Sequence, residues 1–132
     1  MTGAFVLAQH AESNRLDWGS VTWVCHPGSV GASKLAIVRG DLLPEKGHNF
    51  HKHPRQEEVI FVVSGLIEQW IEKTKQFLRP GDSAFIPSDT VHASFNVGDG
   101  EAKILAIFGP AVGDGFETID VSAEAPWNAM RG

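Results

Sequence analysis

The tightest constraint in this chain is the rhythm with which its apolar runs are cut. Short runs rich in Val, Ile, Phe and Trp end repeatedly at Gly, Pro, Asp or Asn, and none keeps a 3.6-residue period over a helix's length. Runs of that length with period-two alternation are strands that bury one face. The pattern predicts strands at residues 20–26, 34–40, 50–53, 58–63, 66–72, 83–86, 91–97, 103–108 and 116–121. Turn signals separate them at Ser64-Gly65, Lys73-Thr74-Lys75, Pro80-Gly81-Asp82 and Gly98-Asp99-Gly100. Pro80-Gly81 suits the centre of a type II turn, because Pro fixes φ and Gly accepts a positive one. Many short strands with no helices between them predict an all-β, antiparallel sandwich or barrel. At 132 residues the chain is read as one domain over 1–132, with residues 122–132 as a loose arm unless Trp127 docks.

Composition removes several function classes. A net charge of −5 with scattered Lys and Arg disfavours a grip on phosphate backbones, so nucleic acid is not an expected partner. The single cysteine, Cys25, excludes an internal disulfide and a multi-thiolate metal site. No basic segment leads into a long apolar run at the N-terminus, so neither a signal peptide nor a membrane span is expected and the cytoplasm is the expected location.

The chemistry-bearing residues lie in two segments. His51 and His53 are separated by one residue on an expected strand, so both rings point to the same face and form a two-pronged arm for a metal. Glu58 opens the next strand after a short link containing Pro54, within reach of the same ion if the strands are neighbours. The second segment runs from Gly81 through Pro87 and His92 to Asn96.

Together these segments resemble the cupin family. Its first motif is Gly, five residues, His-x-His, three or four residues, Glu, six residues and Gly. His51, His53, Glu58 and Gly65 match it. The second motif is Gly, five residues, Pro-x-Gly, two residues, His, three residues and Asn; Gly81, Pro87, His92 and Asn96 match in register. Two positions depart. The first Gly is Glu45, with Gly47 two residues on as the candidate for a shifted turn, and the Gly of Pro-x-Gly is Asp89. Both concern loop shape at residues 45–96 and spare the ligands.

The resemblance implies an antiparallel jelly-roll (cupin) β-barrel whose interior holds one divalent transition metal ion on His51, His53, Glu58 and His92. That ligand set suits Fe, Mn, Ni, Zn, Co or Cu and leaves two positions of an octahedral ion for water, dioxygen or substrate. The resemblance further implies a homodimer and a metal-dependent enzyme of oxygenase, isomerase or lyase type. Its substrate would be a small, oxygen-rich organic molecule. The alternative is a non-catalytic ligand-binding or sensing barrel with a structural metal. The chain has no Tyr, which counts against the thiol dioxygenases of the family and against several of its lyases.

Strand parity predicts the surroundings of the ion. Ser94 and Asn96 share the inward side with His92, and Ile60 and Val62 share it with Glu58. On residues 66–72, Glu68, Trp70 and Glu72 are assigned to water and Ile67, Gln69 and Ile71 to the barrel, with Phe85 as a further inward candidate. Gln69 is the expected non-ligand residue for orienting substrate, and Glu58 the second catalytic candidate. His48 is assigned to a solvated loop and His26 to a surface or hydrogen-bonded position. Trp70 is assigned to an outer partner surface.

Overall fold

The computed structural model describes residues 3–131. Its strands are β1 (Ser13–Leu16), β2 (Gly19–Cys25), β3 (Ala36–Leu42), β4 (Gly47–Lys52), β5 (Glu57–Ser64) and β6 (Ile67–Ile71). They continue with β7 (Thr74–Leu78), β8 (Ser83–Ile86), β9 (His92–Asn96), β10 (Ala102–Gly109) and β11 (Ile119–Asp120). One four-residue helix, Pro27–Val30, and two short 3-10 turns are the only helical pieces among the described residues. The strands form a six-stranded sheet in the order β1-β2-β3-β10-β5-β8 and a five-stranded sheet in the order β11-β4-β9-β6-β7. All pairings within them are antiparallel, as the jelly-roll expectation requires.

Alternation places one apolar set between the sheets. Val38, Leu42, Ile60, Val62, Ile86, Ile104 and Phe108 of the first sheet meet Ile67 and Leu78 of the second. A second cluster covers the outer face of the five-stranded sheet: Phe50, Trp70, Ala93, Phe95 and Val121, packed under Trp127 and Met130. The C-terminal segment therefore lies across that face, and Arg131 is held there by Glu68, with Nε 2.7 Å from Oε2. Trp70 does point out of the barrel, but it is covered by this segment and donates its indole N–H to Glu68 at 2.8 Å. It is not the free partner surface expected from parity. Glu68 is buried for the same reason, since its charge is met by two donors.

Two strands were not legible from the apolar pattern. β1 has all four residues exposed and so lacks an apolar side. β7 begins at the expected turn, because Ile71 pairs with Thr74 and the tip is Glu72-Lys73, with Glu72 at φ 52°. The strand expected at 116–121 is reduced to Ile119–Asp120.

The two departures from the motif are explained by backbone geometry. Glu45 (φ 67°) and Asp89 (φ 60°) both adopt the left-handed conformation that glycine favours. Lys46 N–H donates to Leu43 O across Pro44-Glu45, so Glu45 sits where a type II turn calls for Gly. The expected turn at Pro80-Gly81 is built alike, with Asp82 N–H donating to Arg79 O and Gly81 at φ 93°. Gly47 does not serve a shifted turn. It lies in β4, where a Cβ would fall 2.1 Å from Ser94 O, so its role is the close approach of β4 to β9.

Candidate metal centre

The centre is assembled from both sheets. His51 of β4 pairs in register with His92 of β9, and His53 follows the end of β4. Glu58 comes from β5 in the opposite sheet, between Phe108 and Ile86. All four side chains are buried. One ring nitrogen from each of His51, His53 and His92 lies within 4.8 Å of the others. The Glu58 Oε1 atom is 2.8 Å from His92 Nε2 and 3.3 Å from His53 Nε2.

Each imidazole is oriented by a backbone carbonyl. Nδ1 of His51 is 2.6 Å from Asn49 O, Nδ1 of His53 is 2.8 Å from Glu117 O, and Nδ1 of His92 is 2.9 Å from Thr90 O. A carbonyl can only accept, so the proton of each neutral ring is fixed on Nδ1 and the lone pair on Nε2 faces the centre. His53 Nε2, His92 Nε2 and Glu58 Oε1 accordingly have no hydrogen-bond partner, although they are fully buried. Buried lone pairs converging on one point without a proton to share are costly unless a cation sits between them. The donor set thus fits a divalent ion of borderline hardness.

The electrostatics agree. Burial, then the neighbouring His48, His92 and His53, holds His51 well below its usual value, so the ring stays neutral and available as a ligand. Glu58 is buried against the same two Nε2 atoms, those of His53 and His92, so its carboxylate completes the converging donor set and would bring a negative charge to a bound cation.

A profile of the cupin domain matches residues 39–108, just over half of the chain and both halves of the centre. This chain belongs to the cupin family. Among its relatives, the polyketide synthase CurC of Streptomyces cyaneus is 35% identical over 104 residues, covering 75% of this chain and 64% of that protein. Among solved structures, KdgF from Halomonas superposes with a TM-score of 0.75 at 22% identity, over 84% of this cupin and 96% of KdgF. A Bacillus subtilis oxalate decarboxylase, a protein with Mn(II) centres, superposes with a TM-score of 0.76 at 18% identity. This cupin is covered over 87% of its length there but spans only 31% of the decarboxylase. At such identities the two structures establish the shared fold.

In this cupin the centre forms one side of a cavity of about 390 Å³ between the sheets. Its walls are mainly apolar, with Trp18, Trp23, Ile104, Phe108 and Phe116 among them. His48, assigned from sequence to a solvated loop, lines it as well. A β-bulge between His48 and His51 shifts the β4–β9 register by one residue, which turns His48 to the same side as His51. Its ring stacks on His51 with centroids 3.5 Å apart and on Trp18 at 5.4 Å. Burial, then the nearby His92, lowers its pKa to about 4. The signals for this bulge were Gly47, which permits the close approach, and Asn49, whose Oδ1 accepts from Phe50 N–H.

The remaining candidates are placed as follows. Gln69 faces the interior but sits behind Ser94, which donates from Oγ to Gln69 Oε1 at 2.6 Å and itself lines the cavity. Asn96 donates to Leu42 O and Gly100 O and accepts from Gly98 N–H, which makes it a brace for the turn after β9. His26 is buried and packs on Trp23, with Nδ1 3.1 Å from Asp114 O. Phe85 is a correction: it is 54% exposed on the outer face, and Ile86 takes the inward position opposite Glu58.

Proposed function

We propose that this cupin is a mononuclear metal-dependent enzyme acting on a small organic molecule through metal-binding oxygens, by oxygenase, isomerase or lyase chemistry. The observation that carries the reading is the set of converging, partnerless Nε2 lone pairs on the wall of a mainly apolar cavity. His51, His53 and His92 would hold the ion, with Glu58 as the fourth ligand and the source of negative charge, and a divalent ion held there would supply Lewis-acid chemistry. Ser94 has committed its proton to Gln69, so its lone pairs accept from a substrate hydroxyl, and Gln69 is the positioning residue behind it. The apolar walls exclude bulk water and strengthen every polar contact inside.

A purely structural metal would be expected to be sealed from the cavity, whereas all four ligands line it. The test is elemental analysis of protein purified without added metal, beside His51→Ala and His92→Ala. About one equivalent of one transition metal, lost in both variants while they remain folded, is the expected result. Folded wild-type protein that carries none and takes up none from Zn(II), Mn(II) or Fe(II) refutes the reading.

The reading extends to the whole chain 1–132 acting as one domain, in the cytoplasm and as a homodimer. The exposed Phe61, Val63 and Phe85 offer an apolar face on the six-stranded sheet for the second copy. Light scattering at twice the chain mass of 14.3 kDa is expected.

A further inference from the structure

The three ligand imidazoles are not oriented alike. His51 and His92 meet carbonyls two residues back along their own strands, at Asn49 and Thr90. His53 has a distant partner instead: its Nδ1 is 2.8 Å from Glu117 O and 3.3 Å from Thr118 Oγ1. Both lie in residues 110–118, the link between β10 and β11, which contributes no strand to either sheet. The same link sends Phe116 and Thr118 into the cavity wall. A carbonyl that orients a ligand has to be held in place itself, and strand pairing does not hold this one.

Gln56 does. It stands between two ligands, three residues after His53 and two before Glu58, and is fully buried. Its Nε2 donates to Pro110 O at 2.8 Å and to Gly115 O at 3.0 Å, and its Oε1 accepts from Glu117 N–H at 3.0 Å. One amide thus grips the link at its start, near its end, and at the very residue whose carbonyl meets His53. Only an amide offers two donors and an acceptor in one planar group; a carboxylate would set oxygen against both carbonyls. The other polar contacts on the link do not replace it. His26 Nδ1 lies 3.1 Å from Asp114 O, and Arg55 reaches the Glu117 carboxylate at 3.1 Å, so neither involves the Glu117 backbone.

We infer that Gln56 is a positioning residue of the metal centre, acting on His53 through the backbone of Glu117. The inference rests on the metal-centre reading above and deepens it. A brace with no bearing on the centre has its counterpart in the same barrel. Asn96 is equally buried and makes the same set of bonds, donating to Leu42 O and Gly100 O and accepting from Gly98 N–H. The turn it holds, residues 97–100, lies outside the cavity lining.

The experiment compares the full chain with Gln56→Met and Asn96→Leu. It measures the Zn(II) dissociation constant by competition with a chromophoric chelator, the visible absorption of Co(II)-saturated protein, and the urea midpoint. Gln56→Met is expected to bind Zn(II) about 10- to 100-fold more weakly, the usual effect of losing an outer partner of a ligand, and to shift the Co(II) bands. Asn96→Leu is expected to lose stability while its dissociation constant stays within about 2-fold of wild type, as for independent sites, with the Co(II) bands unmoved. Gln56→Asn, which withdraws the amide by one methylene, takes the place of Gln56→Met if that variant does not fold, with the same expectation. Equal weakening in the Gln56 and Asn96 variants overturns the inference, because stability alone then explains the loss. So does a Gln56 variant with wild-type affinity or with the wild-type Co(II) spectrum, and so does failure of both Gln56 variants to fold, which makes Gln56 a folding residue. In all of these cases metal bound by the wild-type protein leaves the metal-centre reading standing. Wild-type protein that takes up no metal sinks that reading first, and this one with it.

Discussion

Replacing Glu45 by glycine should make this protein more stable. Glu45 is exposed at the third position of the Leu43–Lys46 turn with φ 67°, and no side-chain partner holds it there. A left-handed conformation costs a residue with a Cβ roughly 1–2 kcal/mol. Glycine removes that cost but has more freedom to lose from the unfolded chain, worth about 0.5–1 kcal/mol. The net expectation is a gain of about 0.5–1 kcal/mol. At roughly 2 cal/mol/K of unfolding entropy per residue, a chain of this length should melt about 2–4 °C higher. Calorimetric melting and urea titration of Glu45→Gly beside Glu45→Ala measure it. Alanine retains the Cβ and should change little, within about 0.5 kcal/mol. If alanine stabilises as much as glycine, the effect belongs to the glutamate side chain and the backbone argument is wrong. If glycine gives no gain, the turn does not carry the strain assigned to it.

Three further outcomes follow from the same geometry. Zn(II) at about 100 times its dissociation constant should stabilise the wild-type fold by about 2.7 kcal/mol, a rise near 10 °C, and His92→Ala should show none of that shift. Ser94→Ala should cost about 1–2 kcal/mol in urea, because Gln69 Oε1 loses its donor inside the barrel, while metal content stays at the wild-type level. The C-terminal clamp should fail in acid: burial would raise the Glu68 carboxyl, but Arg131 and Trp70 hold it below its usual value. A depressed carboxyl stabilises the fold above its unfolded pKa and stops doing so as pH falls through the folded one. Since Arg131 is 40% exposed, the effect should be only roughly 0.5–1 kcal/mol. Arg131→Ala also loses its stacking on Phe95 at every pH, so it should destabilise throughout, with the cost larger at pH 7 than in acid where Glu68 is protonated, as read by urea titration across that range.

How far the sequence reached depends on the range of the interaction that decides each feature. Period-two alternation put Ser94 and Asn96 beside His92, and Ile60 and Val62 beside Glu58, because strand parity is a local property of the backbone. The spacing of His51, His53, Glu58, Gly65, Gly81, Pro87 and His92 identified the family for a related reason: the barrel sets how many residues separate its ligands. Glu68 was assigned correctly to the outer side for the wrong reason. It was expected in water, and it is instead buried beneath Arg131, some sixty residues away in sequence.

What only the tertiary structure decided are the features made by distant partners. His48 enters the cavity because a bulge against β9 inverts its parity, and a bulge exists only in the pairing of two strands. Trp70 is covered rather than free because residues 121–131 fold back over β6 and β9, which no pattern within residues 66–72 encodes. β1 has no apolar side of its own and is a strand only because β2 offers an edge. The ligands were written into the chain as a spacing. The charge and shape of the cavity around them, set by which neutral and aromatic side chains two sheets bring face to face, exist only in the folded barrel.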